Sequence, residues 1–280
     1  MSLEVRPTTA WRFKTFYTEN TETTGGTYFE RLMLAPYAKM KEAWGSAISY
    51  DFGKNWQATV SGQVGQNGFV DEDDLHDMDH NKASVFQSTL QYNGLKKVGL
   101  KMVAGVSNEQ GSTLGMWGKG AFKSSNSRTT YVGAGVTLNL TDAVTIEGMY
   151  YSGVTHVNNG NSLVKMSNLK SDSFAVTAAW NVNDKRTIGM QFVSPLRVRK
   201  GVATVNLPVA RDAYQDVVYR DEVHASLKPS ARVYDVGFYY TDALQEDVHF
   251  QSEFGVRLNP YHVAGAAPDW RALVGLHFGL

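Results

Sequence analysis

The chain has 280 residues, of which 42% are apolar and 12% aromatic, and its 27 basic and 27 acidic residues cancel. A balanced charge gives no net field and removes the usual electrostatic argument for nucleic acid or for anionic lipid as a partner. Apolar runs extend only a few residues, far short of the ~20 that a membrane-spanning helix needs, so a helical membrane protein is excluded as well.

The 26 glycines, 7 prolines, 14 tyrosines and 13 phenylalanines favour strands. Absence of cysteine agrees with an oxidising compartment. Met1-Ser2-Leu3-Glu4 opens no apolar signal segment, which reads as a mature or truncated start. Residues 1–45 have a mixed texture: Trp11-Arg12-Phe13-Lys14 alternates briefly, and Tyr28 to Ala43 mixes helix formers with charges around Pro36. A first strand, a remnant of a preceding domain and a helical segment held in a pore all fit that pattern. So short a segment buries too little apolar surface to fold alone, and it must lean on the rest of the chain. The expected division is a linker or pore segment over 1–45 and a barrel over 46–280.

From residue 46 onward the period is two. Trp56, Ala58, Val60, Gly62 and Val64 alternate with Gln57, Thr59, Ser61 and Gln63; Val132, Ala134, Val136, Leu138 and Leu140 alternate with Gly133, Gly135, Thr137 and Asn139. Phe174 to Val182 and Tyr234 to Tyr240 repeat the pattern. With 46–53, 84–93, 97–107, 144–153, 186–194, 199–207, 217–227, 247–257 and 270–280, thirteen candidate strands result. Their lengths suit tilted strands that cross a hydrocarbon layer in ~9–11 residues. Short turns at 53–55, 93–96, 141–143 and 183–185 alternate with long polar loops at 66–83, 108–127 and 154–171, as periplasmic turns alternate with external loops in outer-membrane barrels. The predicted fold is all-β, a closed antiparallel up-and-down transmembrane β-barrel in the bacterial outer membrane. Such barrels take even strand numbers, so 12 strands are expected, with 14 as the alternative.

The last strand, Trp270 to Leu280, alternates to its end, and Gly275, Phe278 and Leu280 resemble the terminal signal by which the barrel-assembly machinery recognises its substrates. Ser194-Pro195-Leu196-Arg197-Val198-Arg199-Lys200-Gly201-Val202-Ala203, with Leu207-Pro208 after it, is similar to a segment of the translocator barrels of subtilisin-type serine-protease autotransporters. Leu227-Lys228-Pro229-Ser230-Ala231-Arg232 and the stretch Asn259 to Asp269 resemble two further segments, and Ala35-Pro36-Tyr37 one more upstream; the resemblance covers roughly 170–280. It implies a barrel of about a dozen strands that supports export of an N-terminal passenger to the cell surface, type V secretion. The implied partners are outer-membrane lipid, the chain's own passenger and the barrel-assembly machinery. The protease motifs of that family's passenger are absent, so the resemblance implies transport without catalysis, and the chain is expected not to be an enzyme. The alternative function is a passive, porin-like channel for small solutes.

Inward-facing candidates are Gln57, Thr59, Ser61, Gln63, Gly133, Gly135, Asp235, His249, Glu253 and Arg271, with Gly99, Gly105 and Gly189 expected to leave width for a passenger. His249 and Glu253 share a parity, as do Asp235 and Tyr239 on the strand before, which would suit either an acid–base cluster or a polar lumen; the lumen is the simpler reading. The acidic run from Asp71 to His80 lacks the glycine and terminal glutamate of a calcium loop and reads as an external loop. No metal, cofactor or catalytic set is expected. Trp56, Tyr92, Tyr150, Trp180, Tyr240 and Trp270 read as interfacial girdles.

Overall fold

A computed structural model describes residues 2–8, 10–19, 36–38, 40, 42–66, 82–115, 126–159, 163–212, 214, 217–245 and 248–278. Sixteen strands follow one another: β1 Ser2–Val5, β2 Trp11–Glu19, β3 Glu42–Phe52, β4 Trp56–Gln66, β5 Lys82–Leu95, β6 Val98–Glu109, β7 Ser127–Asn139, β8 Val144–Val157, β9 Val164–Met166, β10 Leu169–Asn183, β11 Arg186–Lys200, β12 Val202–Asp212, β13 Val217–Ser226, β14 Tyr234–Gln245, β15 Val248–Leu258 and β16 Asp269–Phe278. Thirteen of them form one sheet in the order β1-β2-β3-β4-β5-β6-β7-β8-β10-β11-β14-β15-β16, and β13-β12-β9 form a second. Every pairing is antiparallel, so the main sheet is an up-and-down meander.

Alternation in the sequence becomes two faces in the sheet. Tyr131 is 1% exposed and its neighbour Val132 59%, a contrast that puts the tyrosine inside and the valine on an outer apolar surface. Trp44, Val64, Phe86, Met102, Val176, Phe254 and Val274 share that surface. Short turns join β3 to β4, β5 to β6, β7 to β8, β10 to β11 and β14 to β15, all at one rim, and the longer connections gather at the other.

Two expectations need correction. Among the described residues sixteen strands stand where 12 were expected, because β1, β2 and the short β9 add to the thirteen alternating segments, and two of those thirteen become β12 and β13, which leave the wall for the second sheet. Alternation alone cannot reveal which alternating strands stay in the wall. Second, the sheet is not closed: among the described residues β1 and β16 each have a paired neighbour on one side only. Ser2–Val5 lies against Phe13–Phe16 of β2, the edge that closure would require. The helix that was one of three readings of Tyr28 to Ala43 falls mostly outside the described residues; within them Pro36–Ala38 is a 3-10 turn and Glu42 belongs to β3.

Candidate functional site

The inner face is built by rings lying over glycines. A Cβ on Gly105 would meet the Tyr131 ring at 2.5 Å and on Gly133 that of Tyr151 at 2.5 Å, and one on Gly189 or Gly45 would run into the ring of Tyr239 or Phe16. At Gly99 no ring is among the nearest atoms, but Gly105, Gly133 and Gly189 do not leave the width expected of them. Each accepts a ring from the neighbouring strand, and Gly135 accepts the Met149 sulfur in the same way.

Into this inner face the 3-10 turn inserts Tyr37. Its ring stacks on Tyr131 with centroids 4.8 Å apart, occupies the space over Gly153, and its hydroxyl lies 3.0 Å from Ser171 Oγ and 3.3 Å from the Ser171 carbonyl. Met40, Ala43, Val85, Val103, Met149 and Tyr151 complete a buried cluster, with Leu114 and Leu196 packed against it. Leu114 belongs to a connection that folds inward because the buried Glu109 carboxylate accepts hydrogen bonds from Ser112 Oγ at 2.8 Å and the Gly115 amide at 2.9 Å. The half of the inner face nearer the long connections is thus narrowed by packed side chains.

Polar pairs line the inner face close to both rims. Arg12 donates to both Asp51 oxygens at 2.7 and 2.9 Å, Gln57 donates to Asp51 at 2.8 Å, and Arg257 donates to both oxygens of Asp235 at 2.7 and 3.1 Å. Gln57, Thr59, Ser61 and Gln63 are half-buried, opposite in parity to exposed Trp56, Val60 and Val64. Glu253 is buried, faces Tyr239 across the strands and accepts from Gln251 at 2.7 Å. His249 is exposed near the short-turn rim, and Asp235 sits with Arg257 at the other end of its strand, so the four suspected acid–base residues are not gathered at one point. Arg271 is half-buried opposite Gly255, and Gly275 opposite Gln251. The Phe278 side chain, Leu280 and the run Asp71 to His80 lie outside the described residues. Trp56 and Tyr92, with rings 4.6 Å apart, join Trp11, Tyr50 and Phe52 in an aromatic row at the short-turn rim.

At the long-connection rim the three segments quoted from 194–203, 227–232 and 259–269 meet. Between its partners for Phe174 and Asp172, β11 carries an extra residue: Ser194 faces Phe174 and Arg197 faces Asp172. Pro195, with no N–H to offer a ladder, fits such a bulge, and the bulge turns Leu196 onto the Tyr37 cluster. Arg232 then donates to Asp172 at 2.6 Å and Ser194 Oγ at 3.2 Å. Asn259, Tyr261 and His262 adopt left-handed φ of 51°, 58° and 62°, a strained set that surrounding bonds must hold. Asn259 Nδ2 donates to the Arg232 carbonyl at 3.1 Å, the His262 carbonyl accepts from the Ala231 amide at 3.0 Å, and His262 Nδ1 accepts from the Val233 amide at 3.3 Å. Sequence reasoning missed Tyr37, Arg232 and Asp172 as a linked set because the residues are 60 or more positions apart and only the bulge at Pro195 brings them together.

No family model and no curated protein matches the chain. Among solved structures it is similar to the in-vitro folded trimer form of OmpT, an outer membrane protein of Vibrio cholerae, with a TM-score of 0.52 at 11% identity, covering 97% of this chain and 77% of that one. A loop L8 deletion mutant of the same protein gives 0.51 at 11% identity over 91% and 72%. That likeness overturns the expectation that the chain is no enzyme: it establishes a fold, a fold hosts unrelated activities including catalysis, and missing protease motifs therefore exclude nothing. What the likeness and the outer apolar surface establish together is that the chain has the fold of bacterial outer-membrane β-barrel proteins, with an outer face that suits a membrane.

Proposed function

We propose that the chain is the translocator of a type V secretion system, with β2 as the first strand of the wall and the segment ahead of it, Ser2–Val5, belonging to the pore. The observation that carries this reading is the direction of the chain at β1. Ser2 pairs with Phe16 and Val5 with Phe13, so the chain runs from mid-height toward the short-turn rim before β2 rises. Short turns are periplasmic in such barrels, and a segment joined ahead of β1 therefore arrives from the external side. A passenger exported through or alongside the pore would be joined in that sense. The resemblance of 194–203, 227–232 and 259–269 to translocator barrels supports the same reading.

The test is a fusion in which a signal peptide and a compact epitope precede residue 1. Surface exposure of the epitope, read by protease shaving of intact cells, is expected with the barrel folded. A folded barrel with the epitope retained in the periplasm sinks the proposal. A second reading, a passive channel, is favoured by the inward turn at Pro36–Ala38, since an external connection that enters the lumen also sets a solute cut-off. Steady solute flux through reconstituted protein, with no epitope exposure, would select it.

A further inference from the structure

The outer face just below the long-connection rim carries a cationic patch that the lumen does not use. Phe192 and Tyr234 stack at 5.3 Å, and Phe174 packs on Phe192 at 5.6 Å. These aromatics sit at the depth where girdles mark the membrane interface. Directly beyond them the buried Asp172 is held by Arg232 at 2.6 Å and Arg199 at 3.7 Å, while the Arg232 guanidinium lies 5.5 Å from the centre of the Phe174 ring. Arg197 stands opposite Asp172, and its Nε is buried without a hydrogen-bond partner among the described residues. Lys170 and Lys200, both exposed, are direct cross-strand partners. Like charges placed opposite each other in a sheet are destabilising, and the Asp172 carboxylate is already engaged, so the five cations call for an anion from outside the protein.

At that depth and on that side, the anions available are headgroup phosphates of the outer leaflet. We propose that Lys170, Arg197, Arg199 and Lys200, with Arg232 and Asp172 fixing their positions, form a binding site for the phosphates of lipid A, the phosphorylated lipid of lipopolysaccharide. The forked donors of arginine match phosphate oxygens in pairs. Phe174, Phe192 and Tyr234 lie where the first methylenes of its acyl chains would run. The site stands independently of whether the chain exports a passenger.

The experiment immobilises the refolded full chain in detergent micelles and titrates fluorescent lipid A in its bisphosphorylated and dephosphorylated forms. The bisphosphorylated form is expected to bind about tenfold or more tightly, a difference of about 1.4 kcal/mol. Arg199→Gln with Lys200→Gln should erase that preference, whereas Lys82→Gln with Arg128→Gln, two exposed cations elsewhere on the same rim, should leave it intact. Millimolar inorganic phosphate should not compete. Equal binding of the two lipids by the unsubstituted protein overturns the proposal, and this comparison stands even where a variant fails to refold. Competition by inorganic phosphate overturns it too, in favour of a simple anion site. So does a preference that survives the Arg199/Lys200 change, which would place the phosphate contacts elsewhere.

Discussion

Tyr37 is the side chain on which the inner face depends most. It stacks on Tyr131, covers Gly153 and hydrogen-bonds to Ser171, so it ties together strands that are remote in the sequence. Tyr37→Ala should destabilise the fold by about 3–5 kcal/mol, as truncation of a buried aromatic does, and should raise single-channel conductance in a planar bilayer. Gly153→Val separates the two effects, because a Cβ there meets the Tyr37 ring at 2.7 Å and pushes the ring aside without removing it. Unchanged conductance in both variants would mean that the turn at Pro36–Ala38 does not narrow the path. His262 gives a pH-dependent counterpart at the rim. Burial, with Arg197 and Arg232 nearby, holds its pKa below the ordinary value, while backbone contacts at Ala231 and Leu196 oppose the shift. A histidine with a depressed folded pKa contributes its full stability above its unfolded value of 6.5 and loses it as pH falls through that value toward the folded one. Protonation of Nδ1 also removes the acceptor used by the Val233 amide. Acidification from neutrality to about pH 5 should therefore speed proteolytic cutting of the connection at 259–268, and His262→Gln should flatten that dependence.

Strands are legible in the sequence where the two parities differ sharply in kind. Val136 and Val176, on the outer face, lie beside Thr137 and Thr177 on the inner one; arginine at the valines should cost about 2–4 kcal/mol at the bilayer midplane, while the same change at the threonines should cost clearly less. Urea titration in lipid vesicles measures the difference, and equal costs would contradict the assignment of faces. Legibility fails where both parities are mixed. In β2 the inner positions Arg12, Lys14 and Phe16 face Ser49, Ala47 and Gly45, so charge and ring share the side that elsewhere is small and neutral, and the pattern breaks after four residues. The width of the lumen is illegible for a different reason. A glycine in a strand announces close approach, but whether a ring from the next strand fills the space depends on register, and register is not written in either strand alone.

At the scale of the whole molecule, the open seam is the feature that a membrane cannot tolerate. Unpaired N–H and C=O groups in hydrocarbon cost several kcal/mol each, so a spanning sheet must close. The geometry of the ends says how. β15 rises toward the long-connection rim and β16 descends from it, while β1 also descends, paired with the rising β2. Both β1 and β16 therefore have the polarity needed to lie antiparallel to β2, and only one of them can hold that edge. The four residues of β1 cover four of the nine in β2, whereas β16 has ten and would satisfy the whole edge. In lipid β16 should displace β1, freeing Ser2–Val5 to enter the pore and leaving a wall of even strand number. The chain has no cysteine, so introduced pairs report without background. Leu3→Cys with Thr15→Cys, direct partners in the register of β1 and β2, should cross-link before membrane insertion and lose that link in folded vesicles. Thr15→Cys combined in turn with cysteine at Ala272, Val274 or Leu276, all on the outer parity of β16, should gain a link there at one of the three. Persistence of the Leu3–Thr15 link in vesicles, with none to β16, would show that β1 is a permanent member of the wall and that the seam is closed by some other contact.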